Sequence, residues 1–273
     1  MIGTEEKSGD PWKWWIIKRK WWYGMIGILF GSLWIFLTTL INDKTIHFAI
    51  IPHFMIASEK VDQFYAMIQK TWYEKSDPDY VLIISPNHFY PDEKTPQTFD
   101  SLSCFYQETK YQLSAFPGVS DKGQLAKPFW KSFLLKEHGI WEHLSRIQKY
   151  FPSSEVVVLS LPTHLPPTER LQDLPFKWKI LVIASVDFAH YQPEEQTYQH
   201  DLQSIDFLTR GNGDFHDFVE KIDADCPACL FLINHYASQQ GQKAFFRYRD
   251  SSSALVGKDL KEENTSRIFM WYE

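Results

Sequence analysis

The chain has 273 residues, of which 44% are hydrophobic and 23% are charged, and this composition excludes a mainly disordered protein. Its three cysteines are too few for a fold that depends on disulfides. The formal net charge of −6 gives no electrostatic reason for binding nucleic acid, so we expect no nucleic-acid partner.

The amino-terminal segment has the properties of a membrane anchor. Residues 21–42 contain no charged side chain, and as a helix they would extend about 33 Å, enough to cross a bilayer. Basic and aromatic residues within 12–23 favour a cytoplasmic amino terminus, and residues 38–43 offer no signal-peptidase site. We therefore predict a single-pass membrane protein: a cytoplasmic tail (1–20), an uncleaved anchor (21–42) and an extracytoplasmic domain (46–273).

After the anchor, short apolar runs alternate with amphipathic ones, and this pattern predicts an α/β domain whose sheet is flanked by helices on both faces. Residues 92–123 show little regular pattern and are predicted to form a long surface excursion or lid. The predicted strands are 47–51, 80–85, 156–161, 180–184, 245–248 and 267–271, and the predicted helices are 58–72, 125–136, 141–151, 194–209, 215–222 and 228–239.

Polar residues follow three of the predicted strands. His53 follows the first strand, His88 the second, and Asp187 with His190 the fourth. If these strands are parallel, their carboxyl ends meet at one edge of the sheet, where ligands bind in α/β proteins. Imidazole is a common metal ligand, and a carboxylate can bind a metal or orient a ligating imidazole. The alternative for any single histidine is a local hydrogen bond in a loop.

A C-x-x-C motif, Cys226 to Cys229, precedes an apolar helix. A cysteine at a helix amino terminus has a lowered pKa and can act as a nucleophile or a metal ligand. The spacing also allows a thioredoxin-like redox site, although the motif does not follow the first strand of a βαβ unit. A disulfide between the two cysteines is a third alternative, and it would remove Cys226 as a ligand.

Two Glu-His pairs, Glu137-His138 and Glu142-His143, form another cluster. They do not match the H-E-x-x-H pattern of zinc proteases. The chain also contains no G-x-S-x-G motif, no phosphate-binding glycine loop and no dinucleotide fingerprint. Serine hydrolases and nucleotide-dependent enzymes therefore lack the parts that they require.

In their order and spacing, these motifs resemble the Memo family, whose bacterial and archaeal members are called AmmeMemoRadiSam system protein B. The resemblance covers roughly residues 46–273. The segments that resemble family motifs are Ile51-Pro52-His53, Ser85-Pro86-Asn87-His88, residues 137–144 (EHGIWEHL), residues 185–190 (SVDFAH), Cys226, and residues 248–252 with the closing strand.

The resemblance implies a fold similar to the class III extradiol dioxygenases of the LigB type. It also implies a divalent metal, iron or copper before zinc, bound by His53, His88 and Cys226. Imidazole and thiolate ligands suit such metals better than magnesium or calcium. Asp187, His138 and His190 would line the pocket as catalytic residues. The family further implies AMMECR-type and radical-SAM partner proteins, and leaves the small-molecule substrate open.

The leading hypothesis is therefore a membrane-anchored, Memo-like metal-binding protein that acts as a non-haem, metal-dependent oxidoreductase. A non-catalytic binding or scaffold protein with the same fold is the alternative, because four residues depart from the family pattern. A weaker alternative is a thiol oxidoreductase that uses Cys226 and Cys229. The departing residues are Phe54, Met55, Trp141 and Pro227.

Overall fold

A computed structural model describes residues 46–72, 77–89, 97–98, 102–106, 109–114, 136–167, 171, 179–211 and 213–273. All of these belong to the compact unit Thr45–Glu273. The predicted tail and anchor (1–42), and all but the last residue of the predicted helix 125–136, lie outside the described residues. In the part of the chain that is described, no helix is long and apolar enough to cross a bilayer.

Strands and helices alternate along the domain, and a short 3-10 turn at Lys261–Glu263 precedes the last strand. Each predicted strand, and each predicted helix within the described residues, matches one element with ends that differ by three residues or fewer. The elements are β1 (Ile46–Ile51), α1 (Ser58–Trp72), β2 (Tyr80–Pro86), β3 (Gln97–Thr98), β4 (Leu102–Tyr106), β5 (Thr109–Ser114), α2 (His138–Tyr150), β6 (Glu155–Leu161), β7 (Ile180–Ser185), β8 (Phe188–His190), α3 (Glu194–Arg210), α4 (Phe215–Lys221), α5 (Pro227–Gln239), β9 (Ala244–Ser251), α6 (Ser252–Val256) and β10 (Thr265–Tyr272).

The prediction of an irregular excursion is wrong for part of residues 92–123, because β3, β4 and β5 lie there. Strands β4 and β5 pair antiparallel, and β5 continues parallel to β6. These strands obtain their backbone hydrogen bonds from neighbours in the sheet. Strand formation of this kind depends on pairing context more than on local residue preference, so the sequence gives little sign of it.

The described strands form one mixed sheet of ten strands. Its centre has the order β6-β2-β7-β1, and these four strands are parallel. Strand β10 pairs antiparallel with β1, β8 and β9. The carboxyl ends of β1, β2 and β7 therefore lie side by side at one edge, as the strand-end hypothesis requires.

Helices cover both faces of this sheet, as predicted. Phe48 and Ile50 of β1 belong to a buried cluster that includes residues of α3, α4 and α5. Ala49 and Ile51 point to the opposite face and pack in a second cluster with residues of α1 and α2. Because both faces are buried, the central strands are continuously apolar instead of alternating.

One buried ion pair links the carboxyl-terminal strands to the segment that follows β1. The guanidinium of Arg267 donates to both oxygens of Asp250, at 2.6 Å each. Its third nitrogen donates to the carbonyl oxygens of Phe54, at 3.1 Å, and Ile56. Arg267 is fully buried, so it fixes the backbone that immediately follows His53.

We predict that Arg267→Leu lowers the free energy of unfolding by about 3–5 kcal/mol, because it leaves the buried Asp250 carboxylate without its partner. Urea denaturation measures the change. The control is Arg247→Leu, which removes an exposed 3.0 Å ion pair with Glu273 and should cost less than about 1 kcal/mol. Equal losses in the two variants would contradict the role given to Arg267.

Candidate metal centre

Three histidines meet at the carboxyl edge of the central strands. His53 follows β1, His88 follows β2, and His138 begins α2. The ring centroid of His53 lies 5.2 Å from that of His88 and 4.9 Å from that of His138, and the His88 and His138 rings stack at 4.4 Å. The expectation that strand-end residues converge is confirmed for His53 and His88.

Asp225 belongs to the same cluster. The backbone before α5 runs along the end of β7 because the amide of Asp225 donates to the carbonyl oxygen of Asp187 at 3.0 Å. The Oδ2 atom of Asp225 lies 3.1 Å from Nε2 of His53 and 3.5 Å from Nε2 of His88. The carboxylate therefore lies between the two imidazoles.

The other ring nitrogen of each of these two histidines is held by a hydrogen-bond acceptor. The Ser185 hydroxyl donates to the carbonyl oxygen of Gly139 at 2.6 Å, so it accepts from Nδ1 of His53 at 3.1 Å. Nδ1 of His88 donates to Oε1 of Glu137 at 2.7 Å. Protons on Nδ1 leave both Nε2 atoms as donors to a metal, the arrangement usual for metal-bound histidine.

Glu137 is held rigidly because it also caps α2. Its Oε1 accepts from the amide of Gly139 at 3.2 Å, and its Oε2 accepts from the amide of His88 at 3.0 Å. The residue is completely buried. One carboxylate therefore begins the helix, fixes the end of β2 and orients the His88 ring.

Asp187 has a structural oxygen and a second oxygen that faces the cluster. Oδ1 accepts from the amides of His53 and Phe54, at 3.1 Å each. Oδ2 lies 3.3 Å from Nε2 of His53. Asp187 thus links the end of β7 to the end of β1 and still has an oxygen near the candidate ligands.

The carboxylates dominate the electrostatics of the two imidazoles. Burial lowers the pKa of His53, but Asp187 and Asp225 together raise it to about 9. Burial likewise lowers the pKa of His88, but the neighbouring Asp225 carboxylate and the hydrogen bond that His88 donates to Glu137 raise it to about 10. Burial raises the pKa of Asp225, yet His53 and His88 hold it well below its usual range. The ionised carboxylate of Asp225 thus favours a positive charge on both His53 and His88.

His138 behaves differently from its two neighbours. Its side chain is 52% exposed, and burial together with the positive charges on His53 and His88 lowers its pKa to about 4. Its imidazole is therefore neutral at pH 7 and lies at the solvent side of the cluster.

The donors fit a divalent cation. Both carboxylate oxygens of Asp225 are buried and, within the described residues, form no hydrogen bond of normal geometry, and such an arrangement is costly unless a cation balances it. Nitrogen and oxygen donors lie within 4.8 Å of one another in two overlapping groups that share His53, one with His88 and His138, the other with Asp187 and Asp225. A bound cation would supply the positive charge that protons supply on the two imidazoles.

Cys226 is not available as a ligand. Its sulfur is bonded to that of Cys229, with the two Cα atoms 5.3 Å apart, and both residues are completely buried. The prediction of Cys226 as a metal ligand is therefore wrong for the disulfide-bonded chain, because a disulfide sulfur carries no thiolate charge. The disulfide alternative is the one that the structure contains, and the adjacent Asp225 provides the donor.

His190 lies at the end of β8, where its ring is 5.6 Å from that of Tyr191. In the described residues no hydrogen bond or ion pair joins it to the cluster. Burial raises the pKa of Asp187 against the opposing influence of His53. The catalytic roles of Asp187, His138 and His190 remain predictions.

Sequence reasoning missed the roles of three residues of the centre: Asp225, Glu137 and Ser185. Asp225 is adjacent to Cys226, and the metal-ligand role was assigned to that cysteine instead of to the aspartate. Glu137 was noted as part of a Glu-His pair, and its position directly before an apolar helix is the signal for a cap. No pattern marked Ser185 as the partner of a ligand.

No protein-family model matches the chain, and the search of curated proteins finds no significant match. The resemblance to the Memo family therefore remains a prediction.

The close approach at Gly139 generates a prediction. A Cβ at this position would lie 2.4 Å from Oγ of Ser85 and 3.4 Å from Nδ1 of His53. Gly139→Ala should therefore lower the free energy of unfolding by about 1–3 kcal/mol, as overpacking does. Thermal denaturation measures the loss, and Gly139→Ala/Ser85→Ala should recover most of it. An unaltered melting temperature in the single variant would contradict the packing described.

Proposed function

We propose that the chain is a divalent-metal protein with one ion bound by Nε2 of His53, Nε2 of His88 and the carboxylate of Asp225, and that it acts as a non-haem, metal-dependent oxidoreductase. The observation that carries the proposal is the buried Asp225 carboxylate, toward which two imidazoles point their Nε2 atoms. Asp187 and His138 lie close enough to complete or replace a ligand.

The donor set favours iron. Two imidazoles and one carboxylate, with further positions open, are typical of non-haem Fe(II) oxygenases. With Cys226 in a disulfide, the set lacks the soft thiolate that copper prefers, so copper falls behind zinc as the second candidate. An iron ion at this place would supply redox chemistry at its open coordination positions.

The residues around the donors have separable roles. Ser185 and Glu137 orient the two imidazoles, and Asp187 holds the backbone at His53. His138 is neutral and half-exposed at the solvent side, so its imidazole can contact a substrate bound beside the ion. His190 would act farther out, at the end of β8.

We also propose that the domain has the fold family, membrane anchor, cellular side and partners that the sequence predicts. A sheet with helices on both faces is consistent with a Memo-like fold of the LigB type, and the motif order supports it. The Cys226–Cys229 disulfide supports the predicted extracytoplasmic side, because disulfides persist in oxidising compartments. The anchor at 21–42 and the AMMECR-type and radical-SAM partners belong to the same proposal.

The two alternatives gain less support. The four departures from the family pattern motivated a non-catalytic scaffold, but Trp141 is a residue of α2 that packs in the core, and Pro227 takes the first position of α5. Both residues thus have packing or helix-start roles that explain their presence without a loss of chemistry. A thiol oxidoreductase needs an accessible sulfur, whereas Cys226 and Cys229 are completely buried.

Metal analysis of ligand variants tests the proposal. We expect the full chain, purified in detergent without oxygen and loaded with Fe(II), to hold about one ion, since one set of donors is present. His53→Ala and Asp225→Asn should lose it, whereas Cys226→Ser/Cys229→Ser should retain it. His200→Ala is the matched control, because its 2.6 Å pair with Asp223 lies outside both donor groups.

Two outcomes would overturn the proposal. One is a folded wild-type chain that holds no iron or zinc. The other is a chain in which Asp225→Asn keeps the metal while Cys226→Ser/Cys229→Ser loses it, since that result would make sulfur the ligand.

A further inference from the structure

We propose that Tyr65 and His143 are positioning residues that keep the proton of His53 on Nδ1 and so leave the Nε2 lone pair for the metal. They act through a chain of hydrogen bonds that ends at Ser185, and neither supplies a donor to the centre. This inference rests on the proposed function, because it concerns the orientation of one of the proposed ligands.

The chain of hydrogen bonds connects α1, α2 and the end of β7. The Tyr65 hydroxyl lies 2.8 Å from Nδ1 of His143, and Nε2 of His143 lies 3.1 Å from Oγ of Ser185. Ser185 in turn is 3.1 Å from Nδ1 of His53. Tyr65, His143 and Ser185 are completely buried, so water does not compete for these bonds.

Only one arrangement of protons satisfies every bond. The carbonyl oxygen of Gly139 can only accept, so the single Ser185 proton points to it, at 2.6 Å. Both lone pairs of Ser185 must then accept, one from Nδ1–H of His53 and the other from Nε2–H of His143. A neutral His143 with its proton on Nε2 has a lone pair on Nδ1, and the Tyr65 hydroxyl donates to that lone pair.

The neutrality of His143 follows from its surroundings. Burial, with the charges of His53 and Arg146, holds its pKa well below the usual range. His143 therefore carries one proton, and the Tyr65 hydroxyl, by donating to the lone pair on Nδ1, stabilises the tautomer that has this proton on Nε2. This tautomer supports the same arrangement from the other side, because Ser185 then accepts from His143 and keeps its own proton on the Gly139 carbonyl.

The consequence for His53 is that one of its two ring nitrogens is favoured as the site of the proton. With Ser185 accepting, the proton of neutral His53 is on Nδ1, and the Nε2 lone pair faces the Asp225 carboxylate and the cation. If the Ser185 proton turned to Nδ1 of His53 instead, the imidazole proton would move to Nε2 and block the metal. Loss of such supporting contacts typically weakens metal binding about 10–100-fold.

The test is Tyr65→Phe in the full chain, with Zn(II) as the probe. We expect the dissociation constant for zinc to rise at least about tenfold while the chain stays folded. Tyr150→Phe is the control, because its ring stacks on Tyr65 at 5.9 Å but its hydroxyl bonds Asp62. His143→Gln, which keeps an N–H near Ser185, should bind zinc more tightly than His143→Leu.

Imidazole ¹⁵N NMR gives a readout that packing alone would not change. We expect His143 to carry its proton on Nε2 in the wild-type chain and to shift toward Nδ1 in Tyr65→Phe. Unchanged zinc affinity and unchanged ¹⁵N shifts in Tyr65→Phe would overturn the inference and leave the metal proposal intact. A wild-type chain that binds no zinc or iron would overturn the proposed function, while the ¹⁵N shifts of His143 would still decide the role of Tyr65.

Discussion

The centre is organised around an ionised carboxylate that lies in the protein interior between two imidazoles. Both carboxylate oxygens of Asp225 are buried and, in the described part of the chain, accept no hydrogen bond of normal geometry. Its charge therefore requires compensation within a few ångströms, because an uncompensated buried charge costs several kcal/mol. His53 and His88 provide that compensation when protonated, and a divalent cation bound to the same atoms provides it without the protons. Metal binding is thus the chemical role that the buried charge favours.

The geometry of parallel strands brings the two imidazoles and the carboxylate together. Adjacent strands β2, β7 and β1 end at one edge, and the loop before α5 runs across that edge. The surrounding contacts then fix each group: Glu137 caps α2 while holding His88, and Arg267 fixes the backbone after His53. Polar residues outside the ligand set therefore do most of the orienting, and their burial keeps the arrangement rigid.

Much of this fold was predictable because helix and strand periodicity are local signals. The strands that precede His53, His88 and Asp187 were visible as apolar runs, and their common ending predicted the shared edge. Strands β3 and β5 were missed because they pair with β6, which lies more than forty residues further along the chain. Strand β4 was missed with them because it pairs with β5. Asp225 was missed for a related reason: only the backbone pairing of residues 223–225 with residues 187–189 brings it between the imidazoles. The cysteine motif next to it was visible but misleading, since the two sulfurs bond to each other.

X-ray absorption spectroscopy of the zinc-loaded full chain tests the central claim most directly, because it identifies the atoms bound to the ion. The structure predicts only nitrogen and oxygen neighbours, at about 2.0–2.2 Å, with zinc content lost in Asp225→Asn. A sulfur neighbour at about 2.3 Å would contradict the account. It would mean that the Cys226–Cys229 bond opens and that a thiolate, in place of the Asp225 carboxylate, completes the centre.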